Sequence, residues 1–251
     1  MKNNLTKNLL IVFTALLLVG VLTFCAACDP YAGNYVEVSQ ENRQEFVATA
    51  SEKLNKIIQE GLDNVKLTYI VSSTFEVNGE TSTTKKERTV TVDGKKTLVE
   101  LKYDFEGENT LDLNAKIWFD KENEEVYYQV THDEKTEEGK YSREYVSDEV
   151  NMAFSHAQEC LELTVWFVEA IEEFLNNADV KIYADGNNFK LIKEADDDYV
   201  IEYYFIFKNN GAFMCKANQL FTHENSNGSE RTQESAEMTT TNSKVTLPNF
   251  D

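Results

Sequence analysis

Proline and the other residues typical of linkers are scarce in this sequence. The 251 residues include two prolines, and no segment rich in proline, glycine or serine separates one part of the chain from another. Linkers between domains usually have such a composition. Without one, we expect a single domain, which spans residues 39–251.

Basic residues are also few. The chain has 24 lysines and arginines against 44 aspartates and glutamates, which gives a formal charge of −20. An acidic surface repels phosphate groups, so nucleic acid is excluded as a partner and anionic lipid surfaces are disfavoured. Hydrophobic residues still make up 41% of the chain and aromatic residues 12%, which is enough for a folded core.

The motifs of enzymes and metal sites are missing as well. The sequence has no glycine-rich phosphate loop, no H-E-x-x-H and no G-x-S-x-G. Its histidines are His132, His156 and His223, which are far apart and are expected on the surface. The segment ADDDY, residues 195–199, offers oxygen ligands for calcium but lacks the spacing of a calcium-binding loop. We therefore expect no enzymatic activity, no metal site and no cofactor.

The N-terminus has the features of an export signal. Lys2 and Lys7 form a short positive region, and the segment from Leu9 to Phe24 carries no charge. This apolar segment is shorter than the roughly 20 residues that a transmembrane helix needs. Small residues follow it, which favours a cleaved signal over a permanent membrane span.

The residues after the apolar segment resemble the lipobox of bacterial lipoproteins. The motif CAAC places Ala26 and Ala27 directly before Cys28, while Cys25 stands where that family usually has leucine. Ordinary signal cleavage and an uncleaved anchor are the main alternatives. A C-x-x-C metal or redox site has little support, because no second pair of ligands and no βαβ pattern lies nearby.

The lipobox resemblance implies the following processing. Diacylglycerol is attached to the Cys28 thiol and the chain is cut before Cys28, so that residues 1–27 are a signal peptide. Residues 28–38 then form a tether. The mature protein, with a formal charge of −22 after the loss of two lysines, would be anchored by lipid on the extracytoplasmic face of the cell membrane.

The spacing of apolar residues predicts two helices. The first begins near Ser39 and ends at Gly61, with apolar residues at three- and four-residue steps. The second begins after Ser147, which suits an N-cap, and carries an apolar stripe as far as Leu175.

Alternation with period two predicts about eleven antiparallel strands. The first is VKLTYIVSSTFEV, residues 65–77, and the dipeptides Asn78-Gly79 and Asp93-Gly94 are typical of hairpin turns. The others are predicted at TSTTKKERTVTV, KKTLVELKYDF, TLDLNAKIWF, EEVYYQVT, KYSREYV, DVKIYA, NFKLIK, DYVIEYYFIFK, AFMCKANQLFTH and SERTQESAEMTTTNSKVTLP. Because the helices are segregated from runs of strands, the expected fold class is α+β.

This order of elements resembles the LolA/LppX-like lipoprotein carriers. A tethered N-terminal helix, a long antiparallel meander, a mid-chain helix and a closing KVTLP strand follow one another as in that family. The resemblance implies a curved half-barrel of about eleven strands, with the helices packed on its concave side and an apolar cavity for acyl chains.

The residues expected to line such a cavity lie on the mid-chain helix and on one aromatic-rich strand. They are Leu161, Val165 and Val168 on the helix and Tyr203, Phe205 and Phe207 on the strand. The three strand residues share one face because side chains alternate along a strand. The same six side chains also suit a well-filled core, and the sequence does not distinguish the two.

Two cysteines remain outside the signal region. Cys160 and Cys215 could form a disulfide outside the cytoplasm. Each also fits the apolar pattern around it as a small buried residue. Both alternatives stay open at this level.

Two functions are consistent with these features. One is a membrane-anchored lipoprotein that binds or carries a lipid or another apolar ligand. The other is a surface or envelope protein with a packed core that binds a protein partner. Whether side chains close the space between helices and sheet distinguishes the two.

Overall fold

The computed structural model describes residues 31–60, 62–77, 80–106, 113–132, 134–196, 199–208, 211–225 and 228–250. Residues Val36–Asp251 form one compact unit. The predicted signal peptide, residues 1–27, the predicted lipidation site Cys28 and the predicted Asn78-Gly79 turn lie outside the described residues. Within the described ranges, no helix is both long enough and apolar enough to cross a membrane.

The described chain contains three helices and twelve strands. The helices are α1 (Gln40–Glu60), α2 (Asp148–Leu161) and α3 (Leu163–Asn176). The strands are β1 (Val36–Glu37), β2 (Asn64–Val77), β3 (Glu80–Asp93), β4 (Lys96–Glu106), β5 (Leu113–Asp120), β6 (Glu125–His132), β7 (Lys135–Lys140), β8 (Lys181–Asp185), β9 (Asn188–Asp196), β10 (Tyr199–Phe207), β11 (Phe213–Asn225) and β12 (Gly228–Thr240).

All twelve strands belong to one antiparallel sheet with the order β1-β8-β9-β10-β11-β12-β2-β3-β4-β5-β6-β7. The sheet is not closed, because β1 and β7 are its two edges. The protein is therefore an α+β half-barrel with helices on its concave side, as expected. The extra strand comes from the predicted tether: Val36 and Glu37 pair with β8, and the Val38 backbone N–H donates to the Ile182 carbonyl at 2.8 Å.

Alternation along the strands determines which face is buried. Leu67, Val90 and Val99 lie opposite one another on β2, β3 and β4 and are almost fully buried, whereas the neighbouring Lys66 is exposed. This is the inner face, and the helices cover it with their own apolar residues. The predicted Asp93-Gly94 turn is confirmed, with Gly94 at φ +59°.

The mid-chain helix is two helices rather than one. Ser147 caps α2 as predicted, since its hydroxyl accepts from the Val150 N–H at 3.3 Å. The helical segment is interrupted at Glu162, which ends α2 and precedes α3. The buried positions continue at helical spacing across the break, from Cys160 to Thr164, so periodicity alone could not reveal it.

Two predicted strands are wrong in position. The strand expected at KYSREYV lies earlier, at Lys135–Lys140. Tyr141 then leaves the sheet and stacks on Phe154 of α2, with ring centroids 3.9 Å apart. The KVTLP segment is not a strand; its Val245 N–H donates instead to the Asp93 carboxylate at 3.0 Å.

Candidate functional site

The predicted cavity residues on β10 are part of a filled core. Tyr203 lies against Phe174 of α3, with ring centroids 4.9 Å apart. Phe205 lies between Phe189 and Phe213, at 5.5 and 5.7 Å, in stacked arrangements. The partly buried Phe207 packs against the same cluster. Rings in contact on several sides leave no open space around these side chains.

The helical residues of the predicted set divide between the core and the surface. Val168 is completely buried in the cluster that contains Tyr203 and Phe205, and Leu161 packs against its edge. Val165 does not face this interior, because its side chain is 38% exposed on the outer face of α3. Thr164, the residue before it, takes the buried position instead.

Four surface concavities of the described residues lie elsewhere. The largest of the four, about 580 Å³, is on the outer face of the sheet between Lys66 and Lys216. A second outer-face concavity of about 360 Å³ lies beside Lys102 and Lys116. The other two are near His132 and near Phe46. All four are open to solvent, and none is lined by any of the six predicted cavity residues.

A group of polar residues on the inner face forms a site that the sequence reading missed. Arg88 of β3 lies two residues from Val90 and therefore on the same buried face. Its guanidinium carbon is 6.0 Å from the ring centre of Tyr103 on β4. His156 of α2 meets the same ring edge-on at 5.5 Å. We call Arg88, Tyr103 and His156 the Arg88 cluster.

Each member of the Arg88 cluster has a buried polar atom without a hydrogen-bond partner among the described residues. These atoms are Nε of Arg88, the hydroxyl oxygen of Tyr103 and Nδ1 of His156. The carboxylate of Glu159 is 3.6 Å from His156 Nδ1, which is beyond hydrogen-bonding distance. Arg88 forms no ion pair with any residue that the structure describes. Buried polar groups normally have hydrogen-bond partners, so three buried atoms without one in a single cluster are unusual.

The neighbourhood keeps the hydroxyl and thiol groups protonated. Burial raises the pKa of the Tyr103 hydroxyl, and the positive charge of Arg88 acts in the opposite direction. Burial likewise raises the pKa of the Cys160 thiol to about 11, again opposed by Arg88. At neutral pH, Tyr103 is therefore a hydrogen-bond donor, and Cys160 is not a thiolate nucleophile.

The sequence contains one signal for this cluster, namely charged residues at inward-facing positions of a strand. In the strand TSTTKKERTVTV, Lys86 and Arg88 have the same parity as the inward-facing Val90 and Val92. Charged residues at inward positions are uncommon unless they are paired. His156 was expected on the surface, but it is half-buried on the helical face that also carries Cys160.

The remaining titratable candidates do not form a second site. Cys160 and Cys215 are both buried and free, which answers the disulfide question. His132 is half-buried at the end of β6, and the side chain of His223 lies outside the description. Residues 197 and 198 of the ADDDY segment are likewise not described. In the part of the chain that the structure covers, no three His, Cys, Asp or Glu residues are grouped closely enough to hold a metal ion.

The outer face of α3 combines acidic and apolar groups. Val165 and Trp166 are 38% and 52% exposed, and Glu162, Glu169 and Glu173 surround them at helical spacing. None of these three carboxylates is paired with another described residue. We call these five residues the α3 outer face.

Comparisons with known proteins give weak likenesses. No protein-family model and no curated protein matches the chain. A solved DUF1329 family protein from Desulfovibrio piger ATCC 29098 is 8% identical over 76% of this chain and 90% of its own, with a TM-score of 0.24. MucB in complex with MucA(peri) is 6% identical over 80% and 94%, with a TM-score of 0.12. The Pseudomonas aeruginosa MucA/MucB complex is 7% identical over 75% and 93%, with a TM-score of 0.11. TM-scores this low carry no conclusion about ligand or partner.

Proposed function

We propose that this chain is a membrane-anchored extracytoplasmic lipoprotein, lipidated at Cys28, that binds a protein partner through the α3 outer face and is not an enzyme. The observation that carries the proposal is the filled space between helices and sheet. Val168, Ile171 and Leu175 of α3 and Phe189 and Phe205 of the sheet are all completely buried. A carrier of acyl chains would need that space for its ligand.

The filled core disfavours the carrier hypothesis for a physical reason. The stacked rings of Phe189, Phe205 and Phe213 fill the inner face of the neighbouring strands β9, β10 and β11. Opening a channel there would separate close-packed side chains and expose them to water, at about 25 cal/mol for each Å². The surface proposed to bind a protein partner is therefore on the outside of the protein.

The α3 outer face has the composition of a small interaction surface. Tryptophan is enriched among the residues that dominate binding energy, and Trp166 is the more exposed of the two apolar residues of the patch. The unpaired carboxylates of Glu162, Glu169 and Glu173 form its rim. The complementary partner is a protein with an apolar pocket for Trp166 and lysines or arginines around it. Anionic lipid headgroups do not fit, because the rim repels them.

Photo-crosslinking in the native membrane tests this proposal. The full chain carries p-benzoylphenylalanine in place of Trp166, and a matched control carries it in place of Thr74, an exposed residue on the outer face of β2. We expect one discrete protein adduct from position 166 and none from position 74. The double substitution Glu169→Lys and Glu173→Lys should weaken that adduct, because it reverses the charge of the rim.

Three outcomes would contradict the proposal. They are the absence of an adduct at position 166, an equal adduct at position 74, and an adduct that the charge reversal leaves unchanged. A crosslink to lipid or to a second copy of the chain would also count against a basic protein partner. The unfolding midpoint of each variant shows that the fold is intact, since exposed positions tolerate substitution.

A further inference from the structure

Arg88 is an unpaired positive charge beneath a helix in a strongly acidic protein. The chain carries 44 acidic residues, yet no described carboxylate forms an ion pair with this guanidinium. Taking a charge out of water is unfavourable unless something compensates it. The face of the Tyr103 ring gives partial compensation, but it leaves the Nε–H group of Arg88 without an acceptor.

The nearby acidic side chains are directed to other groups. Glu234 of β12 accepts the hydrogen bond of the Tyr69 hydroxyl at 2.7 Å. Glu159 of α2 is exposed, and its carboxylate lies 3.6 Å from Nδ1 of His156. The second cation of the region, Lys86, lies directly opposite Tyr103 with its Nζ 6.0 Å from the ring centre. Two positively charged side chains of β3, Lys86 and Arg88, therefore lie about equally far from the centre of the Tyr103 ring.

The unpartnered atoms of the Arg88 cluster are all able to donate. Arg88 Nε–H and the Tyr103 hydroxyl donate to oxygen. His156 donates from Nδ1 in the tautomer that carries its proton on that nitrogen. Tyr103 is only 4% exposed, so water reaches its hydroxyl poorly. A carboxylate or a phosphate group accepts such hydrogen bonds. The planar guanidinium of arginine can donate two parallel hydrogen bonds to either group.

On the inner face, exposure of the described residues increases from the cluster toward the end of β2 and the start of β3. Burial on the inner face of β3 decreases along the strand, from 1% exposure at Val90 to intermediate exposure at Arg88 and Lys86. On β2, Leu67 is buried, whereas Tyr69 and Val71 are half-exposed. Among the described residues, the side of the cluster near Lys86 is therefore less buried than the side near Val90, and this is where we expect an anionic group to enter.

We propose that the Arg88 cluster binds the oxyanion group, carboxylate or phosphate, of a small ligand on the inner face of the sheet. This inference does not depend on the protein partner of the α3 outer face. Neither the filled core at Phe205 nor the lipid anchor is involved. The ligand is either a free anion or the head of a molecule with an apolar tail, which then rests on half-exposed residues such as Val71.

Calorimetric titration of the full chain, purified in a non-ionic detergent, tests the inference. The probes are inorganic phosphate, butanoate and hexanoate, and the neutral butanamide is the control compound. We expect saturable binding of at least one anion and none of butanamide. Hexanoate binding that is tighter by up to about fourfold for each added methylene indicates an apolar tail. Preference for phosphate or equal binding of the two carboxylates indicates a free anion.

Three variants localise the binding. Arg88→Gln removes the charge and should weaken binding by about tenfold or more, because hydrogen bonds to charged groups are the strong ones. Tyr103→Phe removes one donor and should weaken it by several-fold. Arg231→Gln alters an exposed arginine on the outer face of β12 and should leave binding unchanged.

Two results would overturn the inference. One is the absence of saturable binding for all three anions by the folded wild type. The other is binding that persists undiminished in both Arg88→Gln and Tyr103→Phe. If Arg88→Gln does not fold, Arg88→Lys replaces it, since lysine keeps the charge but loses the Nε–H group and the fork.

Discussion

Tyr69 on β2 donates its hydroxyl hydrogen to the Glu234 carboxylate on β12, with 2.7 Å between the two oxygens. Burial raises the pKa of Tyr69, and the hydrogen bond to Glu234 raises it further. Tyr103 lies two strands away on the same inner face, but its hydroxyl has no partner among the described residues. The two hydroxyl groups should therefore contribute differently to the stability of the fold.

Removal of each hydroxyl should reveal this difference. Tyr69→Phe deprives a half-buried carboxylate of a donor and should lower the free energy of unfolding by about 1–2 kcal/mol. Tyr103→Phe removes a buried hydroxyl that interacts with the Arg88 guanidinium but with no carboxylate among the described residues, so the ligand-free protein should lose less stability than in Tyr69→Phe. Urea denaturation of the two variants beside the wild type measures both effects. A larger loss for Tyr103→Phe than for Tyr69→Phe would refute this account.

The state of the core can be tested at two valines of one helix. Val168 is completely buried, and Val165 is exposed three residues earlier on α3. Val168→Trp should cost about 1–3 kcal/mol or more, because a filled core does not accept extra volume. Val165→Trp should change stability by less than about 0.5 kcal/mol.

The same pair decides between a packed core and a carrier cavity. A cavity at Val168 would accept tryptophan at little cost, and the wild type would take up a fluorescent fatty acid that the variant excludes. We expect neither. Uptake by the wild type together with a stable Val168→Trp variant would restore the carrier hypothesis.

Much of the fold could be predicted from periodicity, because each buried face repeats at the spacing of its element. The alternation around Leu67 and Val90 places strands and their inner faces correctly. Two of the wrong predictions, a single mid-chain helix and a strand at KYSREYV, have local causes. The break at Glu162 interrupts no apolar spacing, and the edge strand at Lys135–Lys140 carries no apolar alternation, since β7 is polar throughout.

The candidate site was harder to predict, because it depends on which residues meet across the sheet. Arg88 and Tyr103 are fifteen positions apart in sequence and come together only through the register of β3 with β4. His156 of α2 also contacts the Tyr103 ring. No local sequence pattern specifies where α2 crosses the sheet. The alternation of side chains in β3 predicts that Arg88 faces inward, which is unusual for a charged residue. It does not predict that Arg88 lacks an ion-pair partner among the described residues.

The docking of the C-terminal segment should depend on pH. Hydrogen bonds from Lys244 (2.8 Å) and from the backbone of Val245 lower the pKa of the Asp93 carboxyl in the folded protein. A group with a depressed folded pKa stabilises the fold above its unfolded pKa, which is about 3.9 for aspartate. This contribution is lost as the pH falls through the folded pKa.

Asp93→Asn should therefore destabilise the protein at neutral pH and lose its effect in acid. Asparagine keeps an acceptor for Val245 but removes the charge that attracts Lys244. The measurement is the difference in urea midpoint between wild type and variant, followed from about pH 7 to below about pH 3.5. Asp104→Asn is the control and should show a smaller difference, because this partly exposed carboxylate on β4 has Lys102, at 3.4 Å, as its one partner among the described residues. A difference for Asp93→Asn that does not shrink in acid would contradict the role of its charge.

Membrane attachment should depend on one thiol. The succession of Lys2 and Lys7, an uncharged segment and CAAC ending at Cys28 predicts lipidation there, and two acyl chains hold a protein on a bilayer far more firmly than one. Cys28→Ala should therefore release the protein into the medium or leave an uncleaved precursor. Cys25→Ala is the matched control, because it alters the neighbouring thiol but leaves the lipidated position intact. Fractionation into membrane and medium, with intact mass spectrometry, distinguishes these products. If Cys28→Ala remains on the membrane at the normal processed mass, the anchor is not at Cys28, and loss of attachment in Cys25→Ala alone would place it at the other cysteine.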